Sequence, residues 1–337
     1  MARRTSNKIQ PAVMTIQCKS AGVGSGATGE FTLDLSQMAS LVNRRFYRQG
    51  LNWAVAGFKI LTTQNGVLTT KKLPNTWIMS NAWEKSMRSW MRMNNEALSE
   101  TESIRPRFLD FKIYADATHH QAGFIGNLLP LDGRLPINQT YALGEWEASK
   151  VVIPLTDGSD NAFSREMIAV GASYPGNSAV TGLNAVSLID GYASSRGLPN
   201  VLDPNAPDDA ASVNGAAPQN WMAAIFNQGT DQDDLVLDDM ITENNLAPYP
   251  FENDGTNLDT MYPGGANQAP SLEIHDTSFI TGTTLSGTTR VKGGNFPCGL
   301  VRFEYTNTSD TTGNLVIQID LVPGNHRGYL CEPMTEM

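Results

Sequence analysis

The chain has little cysteine, little charge and no long apolar run. Only three of its 337 residues are cysteine, Cys18, Cys298 and Cys331. None belongs to a CxxC pair and three cannot all pair internally, so a disulfide framework and a cysteine-built zinc site are set aside; the residues read as small buried or half-buried thiols. The four histidines do not supply a metal site instead. His119 and His120 are adjacent, which on a strand points them to opposite faces, and His275 and His326 stand alone. No apolar stretch approaches the ~18–20 residues of a spanning helix. The opening MARRTSNKIQPAVM has basic residues with no apolar stretch behind them, so it does not read as a secretory signal. No membrane partner is expected.

Charged residues make up 17% of the chain, below the ~25% usual for soluble domains. Polarity comes instead from Asn, Gln, Ser, Thr and Gly, a mixture that suits β-structure with long loops. The hydrophobic fraction of 40% is enough for a substantial core. The length fits one large β domain with long insertions, or two domains.

Signatures of catalysis are also missing. There is no GxSxG and no HExxH. The glycine-rich GVGSGATG at 22–29 lacks the Gly-Lys-Ser/Thr ending of a phosphate loop and reads as a flexible link. Carboxylates pair at Asp233, Asp234, Asp238 and Asp239, within an acidic run whose default reading is solvated surface. Glycoside hydrolysis would need two carboxylates facing across a cleft. The same four residues are weak candidates for a Ca²⁺ site between subunits, since carboxylate oxygens suit that ion but EF-hand spacing is absent. The expectation is a protein that is not an enzyme and has no cofactor.

What is present is an uneven charge distribution. The net charge is −10, yet residues 1–120 carry 16 Lys+Arg against 8 Asp+Glu. The remaining residues carry 8 against 26, and between Arg196 and Arg290 there are 14 acids and no Lys or Arg. Either the basic part faces a polyanion and the acidic part solvent, or the two parts attract each other within or between subunits.

Strict alternation predicts strands at Glu30–Leu35, Leu51–Leu61 and Arg107–Thr118, with a looser one at 12–19. A further short strand is predicted at Val67–Lys72, after a Gln64-Asn65-Gly66 turn. Trp146–Leu155 and Phe163–Ala172 form a pair around Asp157-Gly158-Ser159, and Gly299–Tyr305 and Leu315–Val322 form another. Helical signals lie at 36–50, at 81–98 and at Leu183–Ala193, with short ones at 218–228 and 231–241. In 81–98, Asn81 is placed to cap and Glu84 to complete a capping box. Lys85, Arg88 and Arg92 give that helix a basic edge beside Trp83 and Trp90. Strands do not alternate strictly with helices, which disfavours a parallel sheet. The predicted class is all-β: a single jelly-roll β-sandwich with inserted helices and long loops. Residues 1–28 would be a short basic arm and glycine-rich link, and 29–337 the sandwich, with an acidic, loop-rich insertion or projection at about 196–290.

The most informative pattern is Asn43-Arg44-Arg45-Phe46-Tyr47-Arg48-Gln49, three arginines among two aromatics. Arginine takes phosphate bidentately and aromatics stack on unpaired bases. The same residue types favour subunit contacts or internal packing, and the residues alone leave all three readings open. Trp83 and Trp90 join Phe46 and Tyr47 as candidate subunit-interface residues. Arg44, Arg45, Arg48, Lys85, Arg88 and Arg92 are the candidate nucleic-acid contacts within the body of the chain.

NRRFYRQG (43–50) with the strand after it, LPNTWIMSNAWEKSMRSWMRMN (73–94) and GEWEASKVVIP (144–154) resemble capsid proteins of small circular single-stranded DNA viruses, of the divergent environmental type. The resemblance covers roughly residues 30–170. It implies a jelly roll that self-assembles into an icosahedral virion capsid around a single-stranded genome, DNA in that family, with the host receptor undefined. Arg3, Arg4 and Lys8 would then be a genome-facing arm, and Arg44, Arg45 and Arg48 would lie on the inner face or at an interface. The arm is a stub compared with the long arginine-rich arms of familiar members, which shifts the genome contact toward the inner wall. Two other functions fit a β-sandwich. One is a carbohydrate-binding or adhesive module using Trp221, Tyr249 and Tyr262; the other is a hydrolase using Asp234 and Asp239.

Overall fold

The structure is a computed structural model that describes residues 11–100, 103, 109–133, 139–144, 146–154, 162–173, 175–196, 271–282 and 287–337. The chain divides into two units, Met1–Gly191 with Ala269–Met337, and Tyr192–Gln268. The second contributes only Tyr192–Arg196 to the described residues, so the observed architecture is that of the first.

Eight strands build the framework. In chain order they are β1 (Thr15–Lys19), β2 (Thr28–Asp34), β3 (Leu51–Leu61) and β4 (Gly66–Lys72), and then, after a long interval, β8 (Glu273–Ile280), β9 (Thr288–Phe296), β10 (Leu300–Asn307) and β11 (Val316–Leu321). Every pairing among them is antiparallel. One sheet runs β1-β11-β3-β9 and the other β2-β10-β4-β8. Counting only these eight, the orders are 1-8-3-6 and 2-7-4-5, two interlocked Greek keys and hence a jelly roll. The predicted all-β sandwich is therefore the fold observed.

Alternation makes the two inner faces. On β11 every second residue is buried, and Ile317 and Ile319 meet Phe58 and Ile60 of β3 in the core. Phe58 is the pivot between sheets: its ring stands edge-on to Phe296 of β9 at 5.4 Å and to Phe303 of β10 at 5.3 Å. Such pairs add about 0.5–1.5 kcal/mol beyond their buried area. Beside them, Tyr47, Trp53 and Tyr329 form an aromatic cluster with centroids 5.4–5.9 Å apart.

The insertions hang on this frame. Helix α1 (Leu35–Asn43) links β2 to β3 and ends at Asn43, short of the predicted 36–50. It stops because Arg44 adopts a left-handed conformation (φ 53°, ψ 41°) and its amide returns to Ser40 O. Between β4 and β8 lies everything from residue 73 to 272, including α2 (Trp77–Glu100), α3 (Ala117–Ala122), a sheet of β5 (Lys150–Pro154), β6 (Ala162–Ile168) and β7 (Ala185–Ser187), and α4 (Leu188–Arg196). After β11 the chain makes a small hairpin, β12 (Pro323–Gly324) with β13 (Gly328–Tyr329), and returns through β14 (Cys331–Pro333) onto the start of β3. No helix among the described residues is long and apolar enough to cross a membrane.

Several sequence expectations are corrected. Asn81 does not cap α2; the helix begins a turn earlier, at Trp77, because Ile78 and Met79 are buried with Ala82 and Trp83 along one stripe. Arg107–Thr118 is not a strand in its described part. Its alternation is real, but its backbone bonds form no continuous ladder: Lys112 N donates to Ser149 Oγ (3.0 Å) and Ile113 N to Gln49 Oε1 (2.7 Å), while Tyr114 N donates to Met167 O (2.9 Å). Only Tyr114 makes a β-bridge, to Ile168. His119 and His120 thus lie on α3, started by Asp116, whose carboxylate accepts from His119 N (2.9 Å). Leu183–Ala193 splits into β7 and the first turns of α4. Strands β8 and β9 lie outside the predicted set, and β8 falls wholly inside the stretch that reads as acidic loops. The glycine-rich 22–29 is held in place: Val23 is buried, and its N–H and C=O bond with Gly313 at 2.7 and 3.1 Å. The segments 218–228 and 231–241 lie outside the described residues.

Gly50 shows how closely α2 sits on the frame. A Cβ there would lie 2.3 Å from Trp83 Cζ2, and Trp83 is itself locked edge-on to Phe111 at 5.8 Å. Gly50→Ala is expected to cost about 1–3 kcal/mol through overpacking, read as a lower midpoint in denaturant titration with an unchanged slope.

Candidate nucleic-acid interface

The arginine-bearing loop 44–50 leaves α1 and enters β3; its start is turned by the Arg44 and Arg45 amides, which both return to Ser40 O, and its end is held at Gln49 by the carboxylate that also caps the start of α1. Asp34, fully buried at the end of β2, caps α1 through Oδ1, accepting from Ser36 N (2.8 Å), Ser36 Oγ (2.5 Å) and Gln37 N (3.3 Å). Its Oδ2 accepts from Gln49 Nε2 (3.1 Å) and Trp146 Nε1 (2.7 Å). Gln49 passes the constraint on, since its amide also serves Ile113 N and O at 2.7 and 3.1 Å. Within the loop, Tyr47 N donates to Ser40 Oγ (3.0 Å) and Tyr47 Oη to Arg327 O (2.9 Å). Arg327 donates to the Phe46 carbonyl in return.

This closure puts the arginines outside. Arg44, Arg45 and Arg48 are exposed, and Arg327, in the β12–β13 hairpin, is half-buried beside them. Their hydrogen bonds go to neutral carbonyls: Arg45 to Pro11 O (2.9 Å), Arg48 to Leu109 O (3.2 Å). No carboxylate pairs with any of the four among the described residues. Lys59, Lys71 and Arg302, by contrast, are paired with Asp320, Glu304, and Glu30 plus Asp116. His326 is held below its ordinary value by burial first and then by Arg327 and Arg48.

The other candidates divide. On α2, Arg88 (74% exposed) pairs with Glu84 and Arg92 (83% exposed) with Glu96, one turn away, while Lys85 is exposed. Exposed pairs of this kind are worth little, so Arg88 and Arg92 can swing to another anion at small cost. Tyr47, Trp83 and Trp90, expected at a subunit interface, are 2%, 4% and 7% exposed and pack within the chain. Their area is taken by Trp53, Tyr329 and Phe111. Of the four interface candidates only Phe46 is partly accessible. Arg3, Arg4, Lys8, Asp233, Asp234, Asp238 and Asp239 lie outside the described residues, as do Trp221, Tyr249 and Tyr262. Arg327 escapes the sequence reading because it is far away along the chain; its neighbour His326 and the turn glycine Gly328 mark only a loop.

Two hollows flank Phe46. One, of about 560 Å³, is lined by Tyr47, Trp90, Lys112 and Trp146 among others. The second, a groove of about 370 Å³, is lined by Arg48, His326, Arg327, Met87, Met91 and Phe111 among others. Asp110 borders both. Burial pushes its carboxyl up to about 6, opposed by Lys112 and reinforced by Asp34. The three cysteine thiols carry no activation; Cys18 and Cys331 are pushed up to about 12 by burial, and Cys298 is raised by burial as well. Guanidiniums beside an aromatic ring have the chemistry to take an anion or a flat ring.

A second polar cluster supports the first from behind. Arg302, 4% exposed on β10, joins Thr32 (2.5 Å), Glu30 (2.6 Å) and Asp116 (2.5 Å), tying α3 to the sheet. His119 is buried next to it: Nδ1 accepts from Ala115 N (3.1 Å), so Nε2 carries the proton toward Asn127 Oδ1 (2.6 Å). His120 Nε2 lies 2.9 Å from the buried Glu166.

None of the protein-family models, curated proteins or solved structures compared with the chain matches it.

Burial lowers the His119 pKa to about 4, with Arg302 and His120 adding to the effect and Asn127 and Asp116 opposing it. The unfolded chain therefore takes up a proton near pH 6.5 that the folded chain takes up only near 4, so His119 withdraws stability as pH falls through that window. The slope is at most ~1.4 kcal/mol per pH unit. Asp110, raised in the fold, acts in the opposite sense between about 6 and 3.8, so a difference measurement is needed. Stability of His119→Gln minus that of the parent, from urea titrations at pH 7 and pH 5, is expected to be more favourable at pH 5.

Proposed function

We propose that the chain is a coat protein whose copies self-assemble into a closed virion shell around a single-stranded nucleic-acid genome, and that it is not an enzyme. The observation that carries this reading is the cluster of Arg44, Arg45, Arg48 and Arg327, carried on a hydrogen-bonded loop and hairpin and without an ion-paired carboxylate among the described residues. A jelly roll alone does not choose between coat proteins, lectins and other uses. A cationic surface set beside an aromatic, on a chain whose net charge is −10, is what contact with a polyanion requires.

Self-association is supported by the opposite edge. Strand β8 closes its sheet and pairs only with β4 among the described strands, yet it carries Ile274 at 66% and Phe279 at 75% exposure. An edge with large exposed apolar side chains is normally covered by another chain. Repetition of one such contact under closed symmetry would generate a shell. The partners are further copies of the chain and the genome, DNA by the resemblance in 30–170.

Electron microscopy of the expressed chain is expected to show uniform closed particles; a clean monomer across salt and pH would sink the proposal. In particles of Arg44→Ala/Arg45→Ala/Arg48→Ala, the nucleic acid that co-purifies is expected to fall, measured by the absorbance ratio at the nucleic-acid and protein maxima. An unchanged ratio in normal particles would remove the loop from the genome contact.

A further inference from the structure

We infer that the groove beside the arginine loop seats one unpaired nucleotide of a single strand, with phosphate on Arg48 and Arg327 and the base against Phe46 and the methionines of α2. This rests on the coat-protein reading and specifies its genome contact. At about 370 Å³ the groove is near the lower end of the ~300–1,000 Å³ range of small-ligand sites. It has room for one ring system and none for a duplex.

Its lining is chemically mixed. Each guanidinium has five N–H donors, and Arg48 and Arg327 each give one to a protein carbonyl, Leu109 O and Phe46 O. Neither makes an ion pair with a carboxylate among the described residues. The guanidinium carbon of Arg48 lies 5.7 Å from the Phe46 ring centroid, so cation and ring together present the flat, sequence-tolerant platform on which bases stack. Met87 and Met91 offer polarizable, adaptable walls. Asp110 also lines the groove, within electrostatic reach of Arg48. The guanidiniums draw the phosphate, and the ring and methionines leave the base as the group that lies along the apolar walls. Paired bases inside a duplex cannot make that approach, so the groove discriminates single from double strands.

The test uses the full chain freed of nucleic acid, with fluorescence anisotropy on a labelled oligothymidylate and on a duplex of equal length. The single strand is expected to bind about five-fold tighter or more at equal salt, since one stacked base is worth ~1–3 kcal/mol. Phe46→Leu keeps the apolar bulk but removes stacking, and should weaken single-strand binding about five-fold or more with duplex binding unchanged. Arg48→Ala should lower the slope of log K against log salt by ~0.7, one phosphate contact. Photo-crosslinking of the oligonucleotide to the unaltered chain should label the peptides holding Phe46 or Met87 and Met91, a readout that does not depend on any variant folding. Equal affinity for single strand and duplex, an indifferent Phe46→Leu, or crosslinks elsewhere would overturn the inference. So would displacement of the oligonucleotide by a synthetic peptide of residues 231–241 (DQDDLVLDDMI) whose own binding Phe46→Leu abolishes, which would make the groove a protein-docking site. Particles without single-strand preference would overturn the nucleotide seat and leave the shell standing; preference without particles would do the reverse.

Discussion

Asp34 is a carboxylate with no exposure and no cationic partner among its direct contacts, stabilised by neutral donors from four other residues. Its two oxygens collect the start of α1, the end of the arginine loop and the indole of Trp146. A buried carboxylate must have its hydrogen bonds met or it costs several kcal/mol, so these segments have no freedom to separate. The loop between α1 and β3 runs from the Ser40 carbonyl, which takes the Arg44 and Arg45 amides, to the Gln49 bond with Asp34. Tyr47 turns inward against Trp53 and Tyr329, and the arginines have only the outside left. The cationic surface is thus a consequence of how an acid is satisfied underneath it.

The jelly roll supplies the rest of the arrangement. Phe58, Phe296 and Phe303 fix the spacing of the sheets, β14 returns the chain to the start of β3, and the β12–β13 hairpin brings Arg327 against a loop 281 residues earlier in sequence. Arg302 does for α3 what Asp34 does for α1, with the signs reversed: one buried guanidinium gathers Glu30 and Asp116. Both sites lie at the ends of paired strands β2 and β10, where Leu300 faces Asp34 and Arg302 faces Thr32.

Much of the framework is legible in the sequence because its physics is local. Leu51–Leu61 alternates and is β3 to the residue; 36–50 reads as a helix after a strand, and the helix is there but ends at Asn43. The misses share one cause, which is that backbone partners are not local. Ile113 and Lys112 alternate like a strand but bond to Gln49 and Ser149. Strand β8 reads as acidic loop because Glu273, Ile274 and Phe279 stay exposed at an edge. At the site, Arg44, Arg45 and Arg48 are legible as a cluster. The inward fate of Tyr47, Trp83 and Trp90 is not, because composition cannot say whether an aromatic is buried by its own chain or by a neighbour's. Arg327 is invisible for the same reason as Arg302: its partners arrive from the far end of the chain.

The strand order has a bearing on synthesis. None of β1, β2, β3 and β4 pairs with another of the four; among the described strands each finds its partners in β8, β9, β10, β11 and β14, all after residue 272. A ribosome adding ~5–20 residues per second would need roughly 10–40 s to traverse residues 73–272 while those strands wait. Throughout that interval the nascent chain holds LNWAVAGFKIL as an unpaired, strongly β-forming segment, the kind of sequence that associates with other copies when left open. Both sheets then close together as the late strands emerge, so Leu51–Leu61 stays open to other copies, or to a holding chaperone, until its partners exist.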